Sequence, residues 1–252
     1  MKNKRSLTYL LAVLLLFSCC FLVSTKEKYY KIRMMSFNLG QFYDGITRCP
    51  EEKITEQQTA YQKLLDKYAP DFIFTQENPQ YMDIEQSILG DTLFQDRYKN
   101  QIGYTTYLGK QIFSNYEMFD YQQYNFSTER DYIKVYARIE EYTVALYNVH
   151  LGLTKEIRAV QIAELLADIQ TEEFAIVAGD FNAEAEELAV LNAKGYILAN
   201  NGKYATCGEE CIDNIIFSSN IKLLKATVEC DLFEERNDHR PFIATLGLNI
   251  GK

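Results

Sequence analysis

Polar side chains able to hold a metal ion or a phosphate recur where apolar runs end. Asn38 follows Met34-Met35-Ser36-Phe37, and Glu77 follows Phe72-Ile73-Phe74-Thr75. His150 comes just after Ala145-Leu146-Tyr147-Asn148, and Asp180 and Asn182 come just after Ala175-Ile176-Val177-Ala178. Taken singly, each has an ordinary explanation. An Asp or Asn after a strand is commonly a turn residue. Glu77 alone reads as a solvated loop residue, and His150 alone as a hydrogen-bonded edge histidine. As a set they read differently, because loops at strand ends are where rigid scaffolds place reactive groups. Both histidines of the chain, His150 and His239, fall inside the ordered set of motifs given next.

The clusters have an order: Ser36-Phe37-Asn38, Gln76-Glu77, Asn148-Val149-His150-Leu151, Gly179-Asp180-Phe181-Asn182, Ile212-Asp213-Asn214-Ile215 and Asn237-Asp238-His239-Arg240-Pro241. This ordered set resembles the endonuclease/exonuclease/phosphatase superfamily. Its members include pancreatic-type deoxyribonucleases, abasic-site endonucleases, bacterial sphingomyelinases and inositol-polyphosphate phosphatases. The resemblance spans residues 31–247, and Gly-Asp-Phe-Asn and Asp-His-Arg-Pro are its most specific segments. It implies an α/β (α+β) four-layer sandwich: two mixed β-sheets face to face, with helices on both outer sides.

The resemblance also implies metal-dependent hydrolysis of phosphate esters. Phosphodiesters are anionic and resist water, so hydrolysis needs charge neutralisation, an activated water and support for the leaving oxygen. The implied metal ligands are Glu77 foremost, with Asn38 and Asp238 beside it. The implied ion is Mg²⁺, a hard cation that favours oxygen ligands, with Mn²⁺ or Ca²⁺ as substitutes. Asp180 would orient and deprotonate the attacking water, and Asn182 would steady that water and the transition-state oxygens. His239 would contact the scissile phosphate while Asp213 holds its ring, and His150 would donate to another phosphate oxygen. Attack would be in line, without a covalent intermediate. Asn214, Asn237 and the Lys110-Gln111-Ile112-Phe113-Ser114 segment depart from the usual pattern. None removes a ligand or catalytic group, but they leave the substrate open among nucleic acid, phospholipid and small phosphoesters. A binding protein that kept the fold and lost catalysis is the alternative. The presence of Glu77, Asp180 and His239 speaks against it.

The elements that must position these residues are legible in outline. Lys31–Phe37, Asp71–Thr75, Phe174–Ala178, Cys211–Phe217, Lys222–Val228 and Pro241–Leu246 read as strands, and Tyr104–Ser114 and Tyr132–Asn148 as sheet. Tyr61, Leu64, Leu65 and Tyr68 share one face of a helix over Glu51–Tyr68, which Pro70 closes. Thr154 is a candidate N-cap for a helix with Ile162, Leu165, Leu166 and Ile169 on one face, and Glu184–Ala193 reads as a third helix. Arg158 and Gln161 lie one turn apart on the second helix; they either fix the loop carrying His150 or stand exposed. The Tyr-rich stretch from Tyr98 to Tyr136 fits half-buried strand residues better than a stacking platform. Phe119 to Phe126 is a candidate exposed apolar loop for a lipid substrate.

Composition sets outer bounds. The chain has 252 residues, 47% of them hydrophobic, which suits one large domain with a sizeable core. Lys2, Lys4 and Arg5 precede an apolar run from Leu10 to Phe17, the pattern of an export signal. Leu16-Phe17-Ser18-Cys19 resembles a bacterial lipobox, so residues 1–18 are expected to be cleaved and Cys19 lipidated. Residues 19–30 would then form a tether, and 31–252 the domain. An uncleaved anchor is the alternative, since Leu7–Val23 is nearly long enough to span a bilayer. Either way the domain would be exported and held at the bacterial cell surface or in the periplasm, and no protein partner is implied. Cleavage would take the formal charge from −9 to −12, which argues against tight, non-specific coating of nucleic acid. Cys49, Cys207, Cys211 and Cys230 could pair in an oxidising compartment or stay free thiols; Cys207 and Cys211 are close in sequence, though spacing does not fix a bond, and a zinc site is not expected, because the chain's two His sit in other motifs.

Overall fold

The structure is a computed structural model that describes residues 28–40, 54–78, 94, 97–103, 109–232 and 238–249. The expected signal segment, Cys19 and Cys49 lie outside the described residues. Among the described residues no helix is long and apolar enough to cross a membrane.

Twelve strands are described: β1 (Tyr29–Asn38), β2 (Phe72–Asn78), β3 (Asn100–Gly103), β4 (Gly109–Ser114), β5 (Met118–Asn125), β6 (Asp131–Ile139), β7 (Tyr142–His150), β8 (Ala175–Asp180), β9 (Tyr196–Leu198), β10 (Asp213–Ser218), β11 (Ile221–Val228) and β12 (Phe242–Asn249). Three helices are described with them: α1 (Ile54–Tyr68), α2 (Lys155–Ile169) and α3 (Ala185–Asn192). The strands form two six-stranded mixed sheets, ordered β11-β12-β1-β2-β4-β3 and β5-β6-β7-β8-β10-β9. Each sheet is built around one parallel pair, β1/β2 in the first and β7/β8 in the second. A helix makes each crossover, α1 and α2 respectively, as parallel neighbours require.

Period-2 alternation divides each strand between two cores. Ile32, Met34, Phe72, Phe74 and Ile112 of the first sheet meet Val135, Leu146, Ile176, Ala178 and Phe217 of the second. Met35, Phe37, Ile73 and Phe113 face outward onto Tyr61, Leu64 and Leu65 of α1. Tyr147, Val149, Val177 and Ile216 face outward onto Ile162, Leu165 and Ile169 of α2 and Leu188 and Leu191 of α3. The layers are therefore helix, sheet, sheet, helix, as expected from the resemblance.

The alternation also explains where the polar residues go. Asn38 continues the inward series of Ile32 and Met34, and Asp180 that of Ile176 and Ala178. Asn148 and His150 continue the series of Val144 and Leu146. The inner face thus turns from apolar to polar toward one end of the sandwich. Buried polar contacts bind the sheets together there. Asn148 Nδ2 donates to Thr75 O and Gln111 O, both at 2.9 Å, while its Oδ1 accepts from Gln76 Nε2 at 2.7 Å. Lys110 Nζ pairs with Asp131 at 2.6 Å, fully buried, and Gln123 donates to the other oxygen of Asp131. Burial pulls the Lys110 ammonium below its usual range, and the Asp131 carboxylate opposes that.

Gly179 is needed where it stands. Its φ is +153°, and a Cβ there would lie 2.0 Å from Val149 O of the parallel neighbour β7. Gly179→Ala is expected to destabilise by roughly 2–4 kcal/mol, from backbone strain and overpacking together. A urea midpoint unchanged from wild type would contradict this.

Several expectations shift in detail. Tyr132–Asn148 is two strands joined by a turn at Glu140-Glu141, with φ +52° at Glu140. Phe119 to Phe126 is not a loop but mostly β5, an edge strand with a bulge between Phe119 and Gln122. Tyr121 and Tyr124 stand out from it, exposed, whereas Tyr98 and Tyr132 are buried. β10 begins two residues later than expected, because Thr206, Cys207 and Glu210 close a tight backbone turn first.

Candidate active site

The topology brings the polar strand ends together. Asn38, Glu77, His150 and Asp180 all stand at or near the C-terminal ends of the parallel pairs β1/β2 and β7/β8. β10 runs antiparallel to β8, so its first residue, Asp213, lies opposite Asp180. β12 runs antiparallel to β1 with Phe242 opposite Ser36, which delivers His239 to the same end.

Asp180 is the centre of the cluster. It is 1% exposed, and its Oδ2 accepts from Asn38 Nδ2 at 3.0 Å. The same oxygen lies 3.5 Å from His150 Nε2 and 3.7 Å from His239 Nε2. Its Oδ1 accepts from the backbone N of Asn182 at 2.8 Å. Asn38 Nδ2 also reaches Glu77 Oε1 at 3.2 Å, and that oxygen is 3.8 Å from His150 Nε2. His239 Nδ1 is held by Asp213 Oδ2 at 2.8 Å. Asp238 is exposed; its carboxylate shares a compact group with His239 and Cys207, and its charge reaches Glu77. Asn182 sits lower in the network than expected: one N–H of its amide is committed to Leu151 O at 2.9 Å, which ties the His150–Leu151 segment to the loop after β8.

Strained backbone occurs here, as it does at Ala69, Asp120 and Glu140 elsewhere. Glu77, Asn182 and Arg130 are non-glycine residues with φ of +50°, +47° and +65°. Strict alternation would turn Glu77 away from the inner face that Gln76 occupies. The register break between Thr75 and Asn78 and the positive φ bring it to Asn38.

Electrostatics follow from burial and crowding. Burial and the neighbouring Asp213 carboxylate push Asp180 up to about 7. Burial raises Glu77 as well, against the hydrogen bond from Asn38. Burial, with the positive charges of Arg130 and Lys110, holds His150 far below the usual histidine range, so its ring is neutral. Burial also disfavours a charged His239, but the carboxylate of Asp213 outweighs it and keeps that ring protonated.

A stability prediction follows for the metal-free protein. An unfolded Asp titrates near 4. Folding therefore favours protonated Asp180, a contribution complete below about pH 4 and lost as pH rises through about 7. Asp180→Asn should gain Tm relative to wild type as pH rises from about 4 to about 7. A difference in Tm that stays constant or shrinks over that window would contradict the assignment.

The helix expected after Thr154 holds the His150 loop from behind. Thr154 Oγ1 accepts from Ile157 N as the N-cap. Gln161 is fully buried; its Oε1 accepts from Gly152 N at 2.7 Å and its Nε2 donates to Glu129 O at 2.6 Å. Arg158 donates to Leu153 O at 2.7 Å and pairs with Glu187 at 2.6 Å. Of the two readings open for this pair, the positioning one matches the structure.

Three contributors have no signal in the sequence. Arg130 donates to His150 O at 3.5 Å, and its charge acts on both Glu77 and His150. Glu129-Arg130-Asp131 reads only as a turn; the signal would have been a cation one hairpin before His150. Gln76 and Asn148 lie inside quoted motifs, yet their joint role as a tie between sheets needs the fold to be seen.

The sequence model described as the Endonuclease/Exonuclease/phosphatase family matches residues 35–231. No curated protein matches the chain. Among solved structures, an endonuclease/exonuclease/phosphatase from Beutenbergia cavernae superposes with a TM-score of 0.70 at 14% identity, covering 87% of this chain and 72% of that one. The human Nocturnin catalytic domain with bound sulfate gives 0.68 at 17% identity, covering 88% and 97%. D. rerio TDP2 complexed with single-strand DNA product gives 0.67 at 15% identity, covering 86% and 98%. At such identities these likenesses speak for the fold, and the match over most of the sequence speaks for descent: the chain belongs to the endonuclease/exonuclease/phosphatase family, whose members hydrolyse phosphoester bonds.

Proposed function

We propose that the protein is an exported, Mg²⁺-dependent phosphodiesterase that attacks phosphorus with water. One observation carries the reading. Asn38, Glu77, His150, Asp180 and His239, far apart in sequence, meet in one cluster at one end of the sandwich, joined by side-chain contacts of 3.0 to 3.7 Å.

The donor set fits a hard divalent cation. Glu77 and Asp238 offer carboxylate oxygens, and burial raises Glu77 and Asp180; Asn38, whose Nδ2 faces both Glu77 and Asp180 while its Oδ1 accepts from Gly40 N at 2.9 Å, would turn its amide over to add a third oxygen. Those three residues would hold the ion, which when bound would neutralise phosphate charge and favour departure of the leaving oxygen. Asp180 would take the proton of the attacking water; a base that titrates near neutrality suits that task. His239, kept protonated by Asp213, would donate to a phosphate oxygen. Neutral His150 would donate through Nε2 to another, and Asn182 would fix Asp180 and steady the water. Arg130 adds positive charge for an anionic substrate.

Acidic overall charge disfavours broad coating of polynucleotides, so short or local stretches of phosphodiester are the favoured substrates. The likeness to TDP2 with a DNA product makes single strands the first to try. Hydrolysis of bis(4-nitrophenyl) phosphate should require Mg²⁺ and stop in EDTA. Background release under both conditions would favour the alternative, a binding protein on the same fold. Tethering through Cys19 is part of the proposal; labelled fatty acid should enter the wild-type chain in cells and not Cys19→Ser.

A further inference from the structure

We propose that Cys207, Asp238 and His239 form a second cation site, selective for a thiophilic divalent ion such as Zn²⁺, whose occupancy switches hydrolysis off. The inhibitory effect rests on the functional reading above, in which Asp238 and His239 serve the reaction; the binding itself does not.

One candidate ligand atom from each residue, the Cys207 sulfur, an Asp238 oxygen and a His239 nitrogen, lies within 4.8 Å of the other two. The Cys207 thiol is in hydrogen-bond contact with the His239 ring. Backbone pairing holds it there. Cys207 and His239 form an antiparallel bridge, and Arg240 N donates to Thr206 O at 2.7 Å. On its other side Cys207 N donates to Glu210 O at 3.1 Å and Glu210 N to Cys207 O at 2.8 Å, a tight turn that Gly208 permits with φ +55°. The thiol therefore occupies a fixed position beside the histidine.

The chemistry of the three groups selects the ion. Sulfur and imidazole favour zinc-like ions, whereas Mg²⁺ favours oxygen. Asp213 holds Nδ1 of His239, which directs Nε2 to a ligand in the carboxylate–histidine arrangement common around zinc. Three protein ligands leave a fourth tetrahedral position for water. Cys211 does not compete for Cys207. Cys207 lies opposite Glu210 across the turn, so Cys211, one residue on, falls on the other face, where the charges of Glu184 and Glu186 act on it. Both thiols are free. An ion bound here would engage the His239 nitrogen that a phosphate oxygen needs and draw Asp238 from the Mg²⁺ site.

The test uses the full chain in buffer free of thiols and chelators. Zn²⁺ is titrated against Mg²⁺-supported hydrolysis of bis(4-nitrophenyl) phosphate by wild type and Cys207→Ser. Without zinc the two should be equally active. The zinc concentration for half-inhibition should rise about tenfold or more in Cys207→Ser, at least what loss of an outer-shell partner takes from a metal site. Independently, Co²⁺ added to metal-free wild type should give a near-ultraviolet thiolate-to-cobalt charge-transfer band that Cys207→Ser lacks. Equal zinc sensitivity of the two proteins would overturn the inhibitory claim. A cobalt band absent from wild type, or unchanged in the variant, would overturn the site. A wild type that gives the cobalt band but never hydrolyses the ester would sink the phosphodiesterase reading and leave the cation site standing.

Discussion

Asp180→Asn is expected to lower kcat on bis(4-nitrophenyl) phosphate at least ~100-fold with Mg²⁺ saturating, while the protein stays folded. The substitution keeps size and shape and removes only the ability to accept a proton and carry charge. Every neighbour of Asp180 points to that ability. Asn38 and the backbone of Asn182 donate to its two oxygens, and both histidines face Oδ2. Burial and crowding by Asp213 keep it near the pH at which a base works best. An Asn at this position still accepts the hydrogen bond from Asn182, so the loop after β8 should hold its shape. The acidic limb of the kcat profile should also disappear with the carboxylate. Near-normal turnover in folded, purified variant would reject the role.

His239→Gln is expected to reduce kcat by a similar factor, at least ~100-fold, because it removes a charged donor aimed at developing negative charge. The effect should fall on kcat more than on KM, as for a contact that strengthens in the transition state. Asp213 acts through this ring. Burial alone would leave His239 neutral, and the Asp213 carboxylate reverses that. Asp213→Asn should therefore lose less than His239→Gln, and lose most from about pH 6.5 upward, where an imidazole without the carboxylate has given up its proton. Equal activity of wild type and Asp213→Asn across that range would show that the pair at 2.8 Å is structural only.

Much of this arrangement was legible in the sequence because apolar alternation marks which residues share a face. Phe72 and Phe74, or Ile176 and Ala178, announce buried strands, and the polar residue that ends each run is conspicuous. The parallel crossovers follow from helices such as Lys155–Ile169, whose cap and apolar face are both local signals. Edge strands carry no such mark. β5 is largely exposed, so alternation has nothing to report, and its sequence reads as an apolar loop. β9 is three residues long and depends on pairing with β10. Within the site, Glu77 reaches Asn38 only through a register break and a left-handed backbone, neither of which its side-chain type foretells. Arg130 likewise depends on φ +65° in a turn. Cys207 meets His239 through backbone pairing between segments 32 residues apart, which no motif records.

The central claim is that Glu77, Asn38 and Asp238 hold a divalent cation next to Asp180. Calorimetric titration of Mg²⁺ into metal-free protein near neutral pH tests it, run in two buffers of different ionisation enthalpy. Wild type should bind saturably and release protons, since a cation among Glu77 and Asp180 draws both toward their charged forms. Glu77→Gln should lose most of that binding and its buffer dependence. Indistinguishable isotherms for the two proteins, or wild-type binding with no proton release, would contradict the account.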